Sequence, residues 1–112
     1  MLELLVEFLR EDGHATDTAS NGAEALERIG ATAYDVIFSD VRMPQLSGPD
    51  FYREIARRAP ELCRRFVLVT GDELNAETRA FLDETRVPNL GKPFDLPEIR
   101  QIVQRVLAAA MR

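Results

Sequence analysis

Apolar positions along the chain follow two different periods. Leu2, Leu5, Val6 and Leu9 recur at the three- and four-residue spacing of one helical face, and Gly13 follows as a stop, so a helix is expected over residues 2–12. Residues 14–19 are small, polar or β-branched and read as a short, weak strand. Ser20 and Asn21 are cap residues for a second helix with Gly22, Ala25, Leu26 and Ile29 facing inward and Gly30 at its end. The pattern then changes. Val36-Ile37-Phe38 is a solid apolar run ending in Ser39-Asp40, and Phe66-Val67-Leu68-Val69 is a second, ending in Thr70-Gly71-Asp72. Uninterrupted runs of this length suit strands covered on both faces, as in a parallel sheet.

A Pro/Gly-rich turn over residues 43–49 leads to a helix near 50–59 closed by Pro60. A helix near 75–85 precedes a short strand at about 87–91 that runs into Lys92-Pro93. The last helix starts at Asp95 with Pro97 in its first turn, and Leu96, Ile99, Ile102, Val103, Val106 and Ala110 mark its buried stripe. Strands alternating with helices predict an α/β fold, a doubly wound parallel sheet with right-handed crossovers, in one domain over residues 1–112. Such sheets place ligands beyond the carboxyl ends of their strands. Three strands end in polar residues, Asp40, Thr70 and Lys92, so the topology brings all three to one edge.

Composition narrows the class further. The 112 residues carry 14 basic and 19 acidic side chains, a net charge of −5, which argues against non-specific binding to nucleic acid or to an anionic membrane. No stretch approaches the ~20 apolar residues of a membrane span, and Met1-Leu2-Glu3 lacks the basic start of a signal peptide. The single cysteine, Cys63, excludes an internal disulfide framework and a cysteine-based zinc site. A cytoplasmic domain is expected. Arg53, Arg57, Arg58, Arg64 and Arg65 read as a solvated face, His14 as a loop residue, Cys63 as inert, and Asp83-Glu84 as helix surface.

A carboxylate, a hydroxyl and an ammonium around one pocket suggest chemistry on an anion. Asp40 is a candidate nucleophile, because carboxylates form acyl-phosphate intermediates. Lys92 would neutralise charge on a transferring phosphoryl group, and the Thr70 hydroxyl would donate to one of its oxygens. Such a pairing calls for a hard divalent cation, Mg²⁺, to offset the repulsion. Taken singly, each residue also has a plain structural role: Asp40 as a turn or cap residue, Thr70 as a strand end satisfied locally, Lys92 as a solvated charge. Their joint occurrence at three strand ends is what favours chemistry.

The string Tyr34-Asp35-Val36-Ile37-Phe38-Ser39-Asp40-Val41-Arg42-Met43-Pro44, with Gly48, resembles the phosphoacceptor segment of two-component response-regulator receiver domains. Val69-Thr70-Gly71-Asp72 and Gly91-Lys92-Pro93-Phe94 resemble that family's later motifs in order and distance, and the likeness runs from residue 1 to about 108. Residues 70–94 look most like receivers attached to hybrid histidine kinases. The resemblance implies a flavodoxin-like fold and a phosphoryl group passed from a histidine kinase or phosphotransfer protein to Asp40. It implies Thr70 and Lys92 on the phosphoryl oxygens, and Mg²⁺ held by Asp40 and the main-chain carbonyl of Arg42. It makes the chain a signalling module that accepts a phosphoryl group, not an enzyme in the ordinary sense. Aspartyl-phosphate hydrolases carry a second Asp two residues after the nucleophile, where this chain has Arg42.

Two departures from the family pattern follow. The opening strand, which is central in the 2-1-3-4-5 order and ends in the Mg²⁺-binding acid pair, has no counterpart. Glu11-Asp12 would sit at the wrong end of the first helix, while Asp72 and Glu73 lie in the loop after Thr70, so Mg²⁺ affinity is expected to be weakened. The flanking strands would then pair directly or exchange in a homodimer, or the chain is truncated at its N-terminus relative to the family. The aromatic residue that family members usually carry three positions before the lysine is Asn89 here. Both departures keep open a pseudo-receiver, a protein-interaction module with the fold and no phosphoryl chemistry.

Overall fold

The structure, a computed structural model, describes residues 2–42, 45–71 and 75–110. Its elements are α1 (Leu2–Glu11), α2 (Gly22–Ala31), β1 (Ile37–Asp40), α3 (Gly48–Arg58), a 3₁₀ turn (Pro60–Arg65), β2 (Phe66–Thr70), α4 (Ala76–Thr85), β3 (Asn89–Gly91) and α5 (Leu96–Ala110). The helix ends follow the capping chemistry in the sequence. Asn21 accepts from the Glu24 N–H, Ser47 from Asp50, Asn75 from Thr78 and Asp95 from Glu98. Each side-chain oxygen satisfies one of the orphan donors of a first helical turn. Gly13 closes α1 at φ +85°, a conformation that side chains other than glycine rarely adopt.

The three strands form one parallel sheet in the order β1-β2-β3. Ile37 pairs with Phe66 and Asp40 with Val69, while Leu68 pairs with Asn89 and Thr70 with Gly91. Because side chains alternate across a sheet, β2 feeds two cores. Val67 and Val69, with Leu90 of β3, join Leu5, Phe94, Ile99, Val103 and Val106 between the sheet and α1/α5. Phe66 and Leu68 join Val41, Phe51, Ile55, Phe81 and Val87 between the sheet and α3/α4. Tyr52 sets its ring edge-on to both Phe66 and Phe81 in the second core. Burial and a hydrogen bond with Cys63 push its hydroxyl up to about 12.

The sequence expectation for residues 14–19 is overturned. They form no strand and do not pair with β1. Their polar groups are met locally instead: the His14 N–H donates to Leu9 O, Arg10 Nε to Thr16 Oγ1, and the Tyr34 hydroxyl to Asp17. Direct pairing of the flanking strands is therefore not what the described residues adopt. Two smaller corrections concern helix ends. α2 runs one residue past Gly30, and the segment after Pro60 is a 3₁₀ turn that carries two of the arginines. The arginine face is laced with ion pairs, Arg53 to Asp50 and both Arg57 and Arg58 to Glu54, and Arg53 also stacks over Phe81. Among the described residues no helix is long and apolar enough to cross a membrane.

Two tests follow. A Cβ at Gly48 would collide with the Asp40 carbonyl oxygen and come within 2.9 Å of Leu68 Cδ1, whereas one at Gly30 meets nothing within 4 Å. Gly48→Ala is expected to cost about 1–3 kcal/mol in urea melts, and Gly30→Ala to be neutral or stabilising by up to ~1 kcal/mol. The second test concerns Asp12, whose carboxyl accepts three hydrogen bonds from Arg100 and is held below its ordinary value by them. A carboxyl depressed in the folded state stabilises above its unfolded value and loses that contribution as pH falls through the folded one. Asp12→Asn should therefore lower the melting temperature at neutral pH, with the difference from the parent closing in acid.

Candidate functional site at the carboxyl edge of the sheet

The site is built from strand ends. Asp40 is the last residue of β1 and Thr70 the last of β2, and Lys92 follows β3 directly. The parallel register sets Asp40 opposite Val69 and Thr70 opposite Gly91, so all three leave the sheet at the same edge. The Lys92 N–H donates to Thr70 O at 2.7 Å, which continues the β2–β3 ladder one step past Gly91. The Lys92–Pro93 peptide bond is cis, and Phe94 beyond it anchors in the first core.

Lys92 Nζ lies 2.9 Å from Asp40 Oδ1, with the two side chains 28% and 32% exposed. Asp40 Oδ1 is itself buried and accepts no hydrogen bond, so the contact with Lys92 is Coulombic in character. A carboxylate oxygen cut off from water, facing an ammonium and accepting no hydrogen bond from the described residues, is poorly solvated and ready to gain from further electrophilic contact. Around it the backbone is tightly set. The Gly48 N–H donates to Val41 O at 2.8 Å, and the Ser39 hydroxyl, 2% exposed, donates to Asp40 O at 3.0 Å. Gly48 is needed here because its Cα passes against the Asp40 carbonyl.

Thr70 is 3% exposed, and its hydroxyl donates to Asn89 Oδ1 at 2.6 Å. Asn89 was legible in the sequence only as the loss of a ring. Register logic could have found it, because residues two apart on neighbouring parallel strands share a face and Asn89 lies opposite Leu68, one step diagonal to Thr70.

Arg42 lies just after the strand and is exposed. Met43, Pro44, Asp72 and Glu73 fall outside the described residues. Among the described residues no group of three or more His, Cys, Asp or Glu side chains could hold a metal ion. Among the described residues the donors expected from the sequence, the Asp40 carboxylate and the Arg42 carbonyl, have no second acid beside them, and the carboxylate faces an ammonium. The carboxylate and the carbonyl are both oxygen donors of the kind a hard divalent cation takes.

The fold and this edge define a flavodoxin-like α/β domain with its candidate site at the strand ends. The sequence model of the response regulator receiver domain matches residues 1–104, and the chain belongs to that family, the receiver module of two-component signalling. It is 31% identical over 105 residues to the sensor kinase CckA of Brucella abortus, a match that covers 91% of this chain and 11% of the kinase. The receiver domain of NtrX from Brucella abortus superposes with a TM-score of 0.83 at 28% identity, covering 95% of this chain and 88% of that one. The receiver domain of a sensor histidine kinase from Pseudomonas aeruginosa PAO1, described with a magnesium ion coordinated in its active site cleft, superposes with a TM-score of 0.82 at 26% identity, covering 96% and 88%.

The Asp40–Lys92 contact can be weighed by a double-mutant cycle in urea. Lys92→Met is expected to cost about 1–3 kcal/mol, between an exposed and a buried pair. In an Asp40→Asn background the same change should cost close to nothing. Equal costs in both backgrounds would show that the lysine contributes packing alone.

Proposed function

We propose that the chain accepts a phosphoryl group on Asp40 from a phosphohistidine presented by a histidine kinase or phosphotransfer protein. The observation that carries this is Asp40 Oδ1, buried, without a hydrogen bond and 2.9 Å from Lys92 Nζ. A carboxylate oxygen of Asp40 attacks phosphorus and an O–P bond forms. The donor's P–N bond breaks with its electron pair left on the imidazole nitrogen, and nothing is oxidised or reduced. Phosphoryl transfer asks the protein mainly for positioning and charge. Lys92 supplies the positive charge beside the attacking oxygen, and the Thr70 hydroxyl is a donor for a phosphoryl oxygen at the same edge. Mg²⁺ from solution would add neutralising charge, with Asp40 and the Arg42 carbonyl as the ligands from the described residues. The chain is then a signalling domain whose product is its own modified state. A second reading, an interaction module that uses the fold without the chemistry, rests on Asn89, which stands where family members usually carry an aromatic residue.

Incubation with a small acyl phosphate and Mg²⁺, followed by intact-mass measurement, separates the two. The parent should gain one phosphoryl group, Asp40→Asn none, and Lys92→Ala should load at least tenfold more slowly. Absence of uptake by the parent at high Mg²⁺ would leave the interaction module.

A further inference from the structure

Thr70 brings a single hydroxyl proton to the edge, and in the structure that proton is already engaged. Its acceptor is Asn89 Oδ1 at 2.6 Å, on the neighbouring strand and on the same face of the sheet. Thr70 is almost fully buried while Asn89 is exposed, so the bond lies at the boundary of the interior. A threonine hydroxyl has one donor, and it cannot serve Asn89 and a phosphoryl oxygen on Asp40 together. The backbone on both sides is fixed by the ladder, with the Lys92 N–H on Thr70 O and Leu68 paired with Asn89. The freedom that remains lies in the side-chain torsions of Thr70 and of the exposed Asn89.

We propose that Asn89 is a positioning residue that holds the Thr70 hydroxyl toward β3 in the unloaded chain. Loading Asp40 then requires the Thr70–Asn89 bond to break. The proposal rests on Asp40 as phosphoacceptor. Two acceptors contending for one proton make a two-position element: the hydroxyl sits on the carboxamide when Asp40 is bare and on the phosphoryl group when it is loaded. Asn89 is an exposed residue of the last strand, so its released carboxamide changes hydrogen-bonding partners at the protein surface. The phosphoryl state of a half-buried carboxylate is thereby reported at the surface through a carboxamide. The cost falls on loading, which proceeds against a bond already made.

Initial loading rates from acetyl phosphate with Mg²⁺, read by intact mass, test this in a four-way cycle of the parent chain, Asn89→Ala, Thr70→Val and the double variant. A hydrogen bond of ordinary net worth corresponds to a two- to tenfold faster loading of Asn89→Ala, and the gain should vanish in the Thr70→Val background. Asn89→Asp, which keeps an acceptor, should load no faster than the parent. If Asn89→Ala melts below the assay temperature, Asn89→Leu carries the same comparison. An Asn89→Ala chain that loads at the parent's rate or more slowly overturns the proposal, as does an equal gain in both backgrounds. A parent chain that takes up no phosphoryl group defeats the assignment of Asp40 itself. A parent that loads beside an unaffected Asn89→Ala defeats only the role of Asn89.

Discussion

Everything in this molecule hangs on the pairing of β2 with a neighbour on each side. Its five residues are between 0% and 3% exposed, so no part of the strand can meet its hydrogen-bonding groups with water. They must be met by β1 and β3, and the apolar side chains must be met by helices on both faces. That requirement fixes the parallel register, and the register in turn fixes which residues leave the sheet together. Asp40, Thr70 and Lys92 share an edge because Phe66, Val67, Leu68 and Val69 have to be covered. A register slip of one residue would exchange the two cores and move the hydroxyl of Thr70 to the other face.

Where sequence and structure agree, a strong periodic or chemical signal was present. The solid runs at 36–38 and 66–69 could only be strands or buried helix, and their length and polar ends decided between the two. The stripe of Ile99, Val103 and Val106 and the caps at Asn21 and Asp95 were equally plain. The convergence of Asp40, Thr70 and Lys92 on one edge was readable because the strand-end rule needs only the strands, not their neighbours.

The failures have a common cause, dependence on a partner that composition does not reveal. Residues 14–19 have β-branched character, yet a strand is defined by its ladder, and these residues spend their donors and acceptors on Leu9, Arg10 and Tyr34. The 3₁₀ turn after Pro60 depends on how α3 and β2 have to be joined over the second core, a requirement of packing and not of propensity. Asn89 was visible only as a missing ring. Its place against Thr70 emerges once β2 and β3 are set in register, since the two residues are 19 apart in the chain.

The two cores also differ in how much of the chain each has to gather. The second draws its buried residues from Val41, just after β1, to Val87, an interval in which α3, β2 and α4 follow one another. The first joins Leu5 of α1 to Ile99, Val103 and Val106 of α5, and the Asp12–Arg100 clamp beside it spans 88 residues. Closing so long a loop carries a larger entropic cost than assembling neighbours. A chain emerging from the ribosome can therefore begin to pack the face under α3 and α4 early. The face under α1 and α5 has to wait for the final helix, and until then one side of β2 is left without its cover.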